Sequence, residues 1–171
     1  LPANVFRIET WYANVKTKTG RVTEYLANEK RYNGWQGGTL MKAVVYEQYG
    51  PPDVLHLKEV EKPTPKDNDI LIKVYATPVN YGDITARNFA NIPPHKFNMP
   101  FLLWLPALAF FGFRKPRINV LGSEFAGKVE AIGKSVKLFK EGDKVFGYLG
   151  QNMGANAEYL CMPENGLVAV K

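Results

Sequence analysis

From Met41 onward the chain is divided into short stretches of alternating apolar and polar residues, separated by Gly- and Pro-rich turns, and this punctuation limits what it can fold into. "KAVVYE" is strand-like and ends near Gly50-Pro51-Pro52. "VLHLKEVEKP" alternates like a half-buried strand, "PTPKDND" reads as a turn, and "ILIKVYATPVN" is apolar enough for a central strand. "GDITARN" reads as one or two helical turns with Asn80 or Asp83 as the cap. "NIPPHKFNMP" reads as loop, and "INVLGSEFAGKVEAIG" as one long strand interrupted by glycines, which mark bulges or close backbone approach. A turn at Glu141-Gly142-Asp143 precedes a further strand, and "ANAEYLCMPENGLVAVK" supplies two short ones. Short strands at this spacing predict a barrel or a sandwich.

The bulk properties exclude several classes. At 171 residues there is room for one ordinary domain or a domain plus an appendage. The net charge of +6 is not concentrated: residues 1–40 hold six Lys/Arg against three Asp/Glu, residues 41–171 sixteen against thirteen, so each part carries +3. No basic run suits a phosphate backbone, and no nucleic-acid partner is expected. Cys161 is the single cysteine, and His56 and His95 lie far apart, so neither an internal disulfide nor a zinc-site spacing exists. His56 and His95 read as structural or surface residues, and Cys161 as packed core rather than a nucleophile. A single cysteine fits a reducing compartment. The N-terminus shows no signal-peptide pattern. The most apolar run, residues 99–113, is short for a membrane span and contains Pro106, so a soluble, cytoplasmic protein with no membrane partner is expected.

Residues 1–40 show no sustained period. Gln36-Gly37-Gly38 stands just ahead of Met41, and the codons CAA-GGA-GGN would read there as a purine-rich ribosome-binding site. The expectation is an upstream extension that is wholly or partly translated non-coding DNA. The alternative is a genuine extension, disordered or a partner-binding arm. Detection of peptides from residues 10–30 would exclude the first.

Six segments occur in order: "MKAVVYEQYGPPDVL", "PTPKDNDILIKV", "ATPVNYGD", "LGSEFAGKVEAIG", "FKEGDKVFG" and "AEYLCMP". Together they resemble the N-terminal, GroES-like domain of the medium-chain dehydrogenase/reductase superfamily, and within it the zinc-free quinone oxidoreductases related to zeta-crystallin. The resemblance covers residues 41–171. It implies a mainly β fold with short helices, a partly open GroES-like barrel, without the Rossmann domain that the full-length family adds. No G-x-G-x-x-G occurs, and "GYLGQNMG" has the wrong spacing and context. The resemblance therefore implies a fragment, inactive by itself, of an enzyme that binds NADPH or NADH mainly through its C-terminal domain and works as a homodimer.

The same resemblance suggests the chemistry. Where zinc-dependent relatives carry a Cys and a His ligand, this sequence has Asn80 and Ser123, with only Glu124 left of the metal neighbourhood, so no zinc is expected. Hydride reduction of a quinone or an α,β-unsaturated carbonyl spreads charge over a conjugated system and needs only one or two hydrogen-bond donors. Asn80 is the implied catalytic and cofactor-contacting residue, with helix capping as its alternative role. Asp83 is implied to fix the loop or contact the cofactor, with an N-cap role or an ion pair to Arg87 as the alternative. Arg87 itself reads as a solvated helix face. Thr85 stands where some relatives carry a Tyr, which leaves the general acid unassigned. Phe101, Leu102, Trp104, Leu105, Phe110 and Phe111 are candidates to line or cover an apolar pocket for a bulky hydrophobic substrate, with a helix packed on the barrel or on another subunit as the alternative. Ser123 and Glu124 are expected to hold the cleft together. A carboxylate among apolar neighbours needs a partner, and for Glu124 this is expected to be backbone N–H groups or a basic residue of a further domain. Competing readings are a non-catalytic binding or structural protein on the same fold, a zinc-independent alcohol dehydrogenase-like enzyme and, weakest, a co-chaperonin.

Overall fold

The computed structural model describes residues 39–96, 100–166 and 169–170. The expectations for residues 1–38 lie outside the described residues. The alternating segments form strands as the sequence predicts: β1 (Leu40–Val45), β2 (His56–Glu61), β3 (Asp69–Ala76), β4 (Glu124–Ile132), β5 (Lys144–Tyr148), β6 (Tyr159–Pro163) and β7 (Ala169–Val170). β1 and β2 pair antiparallel, Leu40 opposite Glu61 and Val45 opposite His56. The other strands form one antiparallel sheet in the order β6-β3-β4-β5-β7.

Alternation decides which side of that sheet is buried. Along β4, Phe125, Gly127 and Val129 point inward, while Glu124, Lys128 and Glu130 point out. The inward residues meet Ile70 and Ile72 of β3, Val145 of β5, and Leu160 and Met162 of β6. Each such burial is worth about 1.5–3 kcal/mol, which makes this cluster the main source of cohesion. A second cluster joins the two sheets through Met41, Ala43, Val45 and Ala157. Bridges between Ala43 and Ala157 and between Val45 and Val120 reinforce it.

The sheets stay open, in keeping with the partly open fold that the resemblance implies. Two details differ from the sequence reading. The long strand expected over residues 118–133 begins only at Glu124, because Gly122 takes φ +94° and ends the extended run ahead of it. The loop expected over residues 91–100 contains a 3₁₀ turn, Pro94–Lys96, and follows another, Phe89–Asn91.

Two helices leave the sheets. α1 (Tyr81–Arg87) fills the predicted helical turns, and α2 (Phe101–Phe111) is formed by the apolar run. Pro106 lies inside α2 and removes one backbone donor, whose acceptor would have been the carbonyl of the strongly exposed Leu102. Cys161 lies on β6 and is half-buried; burial, aided by Asp69, pushes its thiol up to about 11, so it is protonated at neutral pH.

Candidate functional site

The site is built where the start of α1 meets the residues just before β4. Asn80 is extended (φ −110°, ψ 176°), so it stands outside the helix and caps it. Its Oδ1 accepts from the Asp83 N–H at 3.1 Å, and Asp83 Oδ2 accepts from the Asn80 N–H at 3.0 Å. This reciprocal capping box satisfies two donors that the first turn would otherwise leave unmade. It also leaves the Asn80 amide nitrogen facing away from the helix.

That nitrogen reaches across 43 residues of sequence. Asn80 Nδ2 donates to Ser123 Oγ at 2.7 Å and to Glu124 Oε1 at 3.3 Å. The first partner is buried, at 4% exposure. The second is exposed and its bond is long, so water or a ligand oxygen can replace it at little cost. Ser123, as acceptor from Asn80, keeps its own hydroxyl hydrogen.

Asp83 ties the helix to this segment. Only 2% of it is exposed, and its Oδ1 accepts from the Gly122 N–H at 3.1 Å. Burial raises its pKa above the ordinary aspartate range, the N–H groups of Asn80 and Gly122 oppose the rise, and Glu124 adds to it. Gly122 must be glycine here. At φ +94° a Cβ would lie 2.7 Å from both the N and Oδ1 of Asn156. Beneath it, Thr77 Oγ1 donates to the Glu124 carbonyl at 2.8 Å, and the Leu149 N–H donates to the Ser123 carbonyl at 2.6 Å.

The structure thus brings together Asn80, Asp83, Ser123 and Glu124. Thr85 is turned to its own helix, its Oγ1 donating to the Tyr81 carbonyl at 2.8 Å. Arg87 makes no ion pair with Asp83, since its Nε donates to the Gly50 carbonyl at 3.1 Å. Trp104 and Phe110 lie on α2, which packs on the turns Phe89–Asn91 and Pro94–Lys96. Glu124 is exposed, and its partner among the described residues is the Asn80 amide rather than the expected backbone N–H groups. The signal was available, because Glu124 is in phase with Lys128 and Glu130 on the outward side of β4.

Sequence reasoning missed Thr77 and Asn156, which hold the junction from below, and an apolar rim beside it. Val79 and Tyr81 flank Asn80 in the chain, and Tyr148 stands opposite Glu124 in the register of β4 and β5. All three are exposed. The junction thus sets one amide donor beside exposed apolar side chains.

The comparisons with known proteins bear on the family of the chain. Residues 66–171 match the alcohol dehydrogenase GroES-like domain family. The quinone oxidoreductase of Sus scrofa is 34% identical over 137 residues, covering 75% of this chain and 35% of that protein. The crotonyl-CoA carboxylase/reductase of Cereibacter sphaeroides is 31% identical over 117 residues, covering 68% of this chain and 24% of that protein. The solved quinone oxidoreductase of Coxiella burnetii has a TM-score of 0.56 at 31% identity, covering 76% of this chain and 37% of that one. The chain spans about a third or less of the length of these curated relatives. It belongs to the alcohol dehydrogenase GroES-like domain family, as a quinone oxidoreductase-like N-terminal domain of the medium-chain dehydrogenase/reductase superfamily.

Proposed function

We propose that the chain is the substrate domain of a zinc-independent oxidoreductase that reduces quinones or α,β-unsaturated carbonyls with NAD(P)H. The observation that carries the reading is the Asn80 amide, held at 2.7 Å by buried Ser123 and only loosely, at 3.3 Å, by Glu124. The donor set does not fit zinc. Asn80 presents N–H groups rather than a lone pair, Ser123 presents a hydroxyl already accepting from that amide, and Glu124 is a lone carboxylate.

A bound nicotinamide dinucleotide supplies the hydride. For this chain the reading assigns Asn80 as the contact to the substrate or to the nicotinamide amide, and the exposed Val79, Tyr81 and Tyr148 as the apolar rim. Asn80 Nδ2 gives up Glu124 and donates to the substrate oxygen, on which charge gathers as the hydride arrives. Ser123 fixes the amide's orientation, and its own hydrogen is available as a second donor. Asp83, with its two oxygens engaged by backbone N–H groups, acts on the cofactor only by positioning Asn80. Trp104 and Phe110 are proposed to border the substrate, and Thr85 to shape the helix beside it. Binding of the pyrophosphate falls to a further domain, since residues 1–171 contain no G-x-G-x-x-G. The chain alone is therefore expected to be inactive, and the complete enzyme to be a cytoplasmic homodimer.

The test is NADPH and NADH oxidation by the complete protein, with a naphthoquinone and with an enone as acceptors, in the presence and absence of a chelator. Turnover is expected to be unaffected by chelation and to fall about 10²-fold in Asn80→Ala. Activity lost on chelation and restored by zinc would refute the metal-free mechanism. Dinucleotide binding without turnover on any acceptor would favour a binding protein on the same fold.

A further inference from the structure

α2 has two apolar faces, and the described residues cover only one of them. Trp104, Leu108 and Phe111, spaced four and three residues apart, lie on one side; Leu108 is buried, and the Phe111 ring sits 4.7 Å from that of Phe89. The opposite side presents Leu102, Leu103, Leu105 and Phe110, with Phe113 just past the helix. Leu102 is 81% exposed and Phe113 69%. A solvated helix face ordinarily carries polar residues, yet Phe101–Phe111 contains none on any side. A contiguous apolar patch of this kind marks an interaction surface.

The charges around the patch indicate what covers it. Between Asp83 and Glu124 the sequence has no Asp or Glu. Lys96, Arg114, Lys115 and Arg117 are all exposed. Lys96 belongs to a turn that packs on α2, and the other three follow its C-terminal end. Glu47, whose carboxylate feels Lys115, is held by Lys58 at 2.7 Å. Exposed apolar side chains beside an excess of cations, with Glu47 already held by Lys58, complement a surface that is apolar within and anionic at its rim. A bilayer with anionic headgroups has that profile. No described helix is long and apolar enough to cross a membrane. At about 1.5 Å per residue, α2 reaches only about half the hydrocarbon thickness.

We propose that the outward face of α2 docks on an anionic lipid surface, with Leu102, Leu103 and Leu105 in the acyl boundary and Arg114, Lys115 and Arg117 on the headgroups. This departs from the sequence expectation of no membrane partner. That expectation weighed the length of the apolar run, which bears on spanning a bilayer and not on lying in its surface. The proposal does not rest on the redox reading.

The experiment is flotation of the full chain with vesicles of phosphatidylcholine alone and with about 30% phosphatidylglycerol added, at low and high salt. Binding is expected only with the anionic vesicles and is expected to weaken with salt. Leu102→Glu combined with Leu105→Glu is expected to lower the partition coefficient about a hundredfold. Arg114→Gln and Lys115→Gln are each expected to lower it roughly fivefold. These substitutions alter exposed side chains, and near-UV circular dichroism checks that the fold is kept. If the leucine pair disturbs folding, the two charge variants carry the test alone. No flotation with anionic vesicles would overturn the proposal, as would flotation that neither set of folded variants weakens. A change of oligomeric mass in the leucine variant without loss of vesicle binding would also overturn it, by making the face a protein interface.

Discussion

The Asn80–Ser123 junction and helix α2 are neighbours in sequence and opposites in construction. At the junction nearly every polar atom has a protein partner: the capping box, the Asp83 bond to the Gly122 N–H, and the Asn80 bond to Ser123. α2 has no charged side chain, and most of its outward face meets none of the described residues. The contrast teaches where a small β domain spends its specificity. Hydrogen bonds at fixed distances position one amide to within a few tenths of an ångström, whereas an apolar face fixes only the polarity of what it meets.

If that contrast is right, substitutions at the junction should cost far more than substitutions on the helix face. The largest loss is expected for Gly122→Ala. A Cβ there lies 2.7 Å from Asn156 N and Oδ1 at a backbone angle that L residues avoid, and the penalty is about 3 kcal/mol in chemical denaturation. A loss under about 1 kcal/mol would mean the junction is softer than its geometry implies.

Asp83→Ala comes next, at roughly 2–3 kcal/mol, because it leaves the Asn80 and Gly122 N–H groups without their acceptor. Its pH dependence has a definite sign. Burial raises the folded pKa above the unfolded value of about 3.9, so the folded state holds this proton more tightly. The stability that follows is fully present below the unfolded pKa and is lost as pH rises through the folded one. The gap between wild type and variant should therefore be widest in acid and narrow as pH rises. A gap that widened with pH would show that the N–H groups outweigh desolvation.

Tyr46→Phe sharpens the comparison from beside the junction. Tyr46 is buried and its hydroxyl has no hydrogen-bond partner among the described residues, while burial pushes its pKa well above the ordinary phenol range. Its removal should be neutral or stabilising by up to about 1 kcal/mol, read as a rise in the denaturation midpoint. The smallest effect is expected for Leu103→Gln on the exposed face of α2, within about 0.5 kcal/mol of wild type. A larger loss would mean that this face is packed against something in the free protein.

Much of the fold was legible because its signals are local. Alternation along "ILIKV" and "EFAGKVEA" marks β3 and β4, and the Asn80-x-x-Asp83 spacing marks a helix start whose reciprocal cap the structure contains. The outward phase of Glu124 was legible too, but the chemical oddity of a carboxylate beside Phe125 obscured it. The early end of the strand was not legible: glycines within "VLGSEFAG" fit a bulge as well as a break, and only the positive φ of Gly122 separates the two.

By itself, then, the sequence determined the β character, the places of the turns, the two candidate caps of α1 and the apolar nature of residues 101–111, since each depends on residues a few positions apart. Tertiary structure alone decided that Asn80 meets Ser123 across 43 residues and that Asp83 meets Gly122 across 39. It also decided which side of α2 is left uncovered. Such contacts depend on the path of the whole chain through two sheets, and no local period encodes a path.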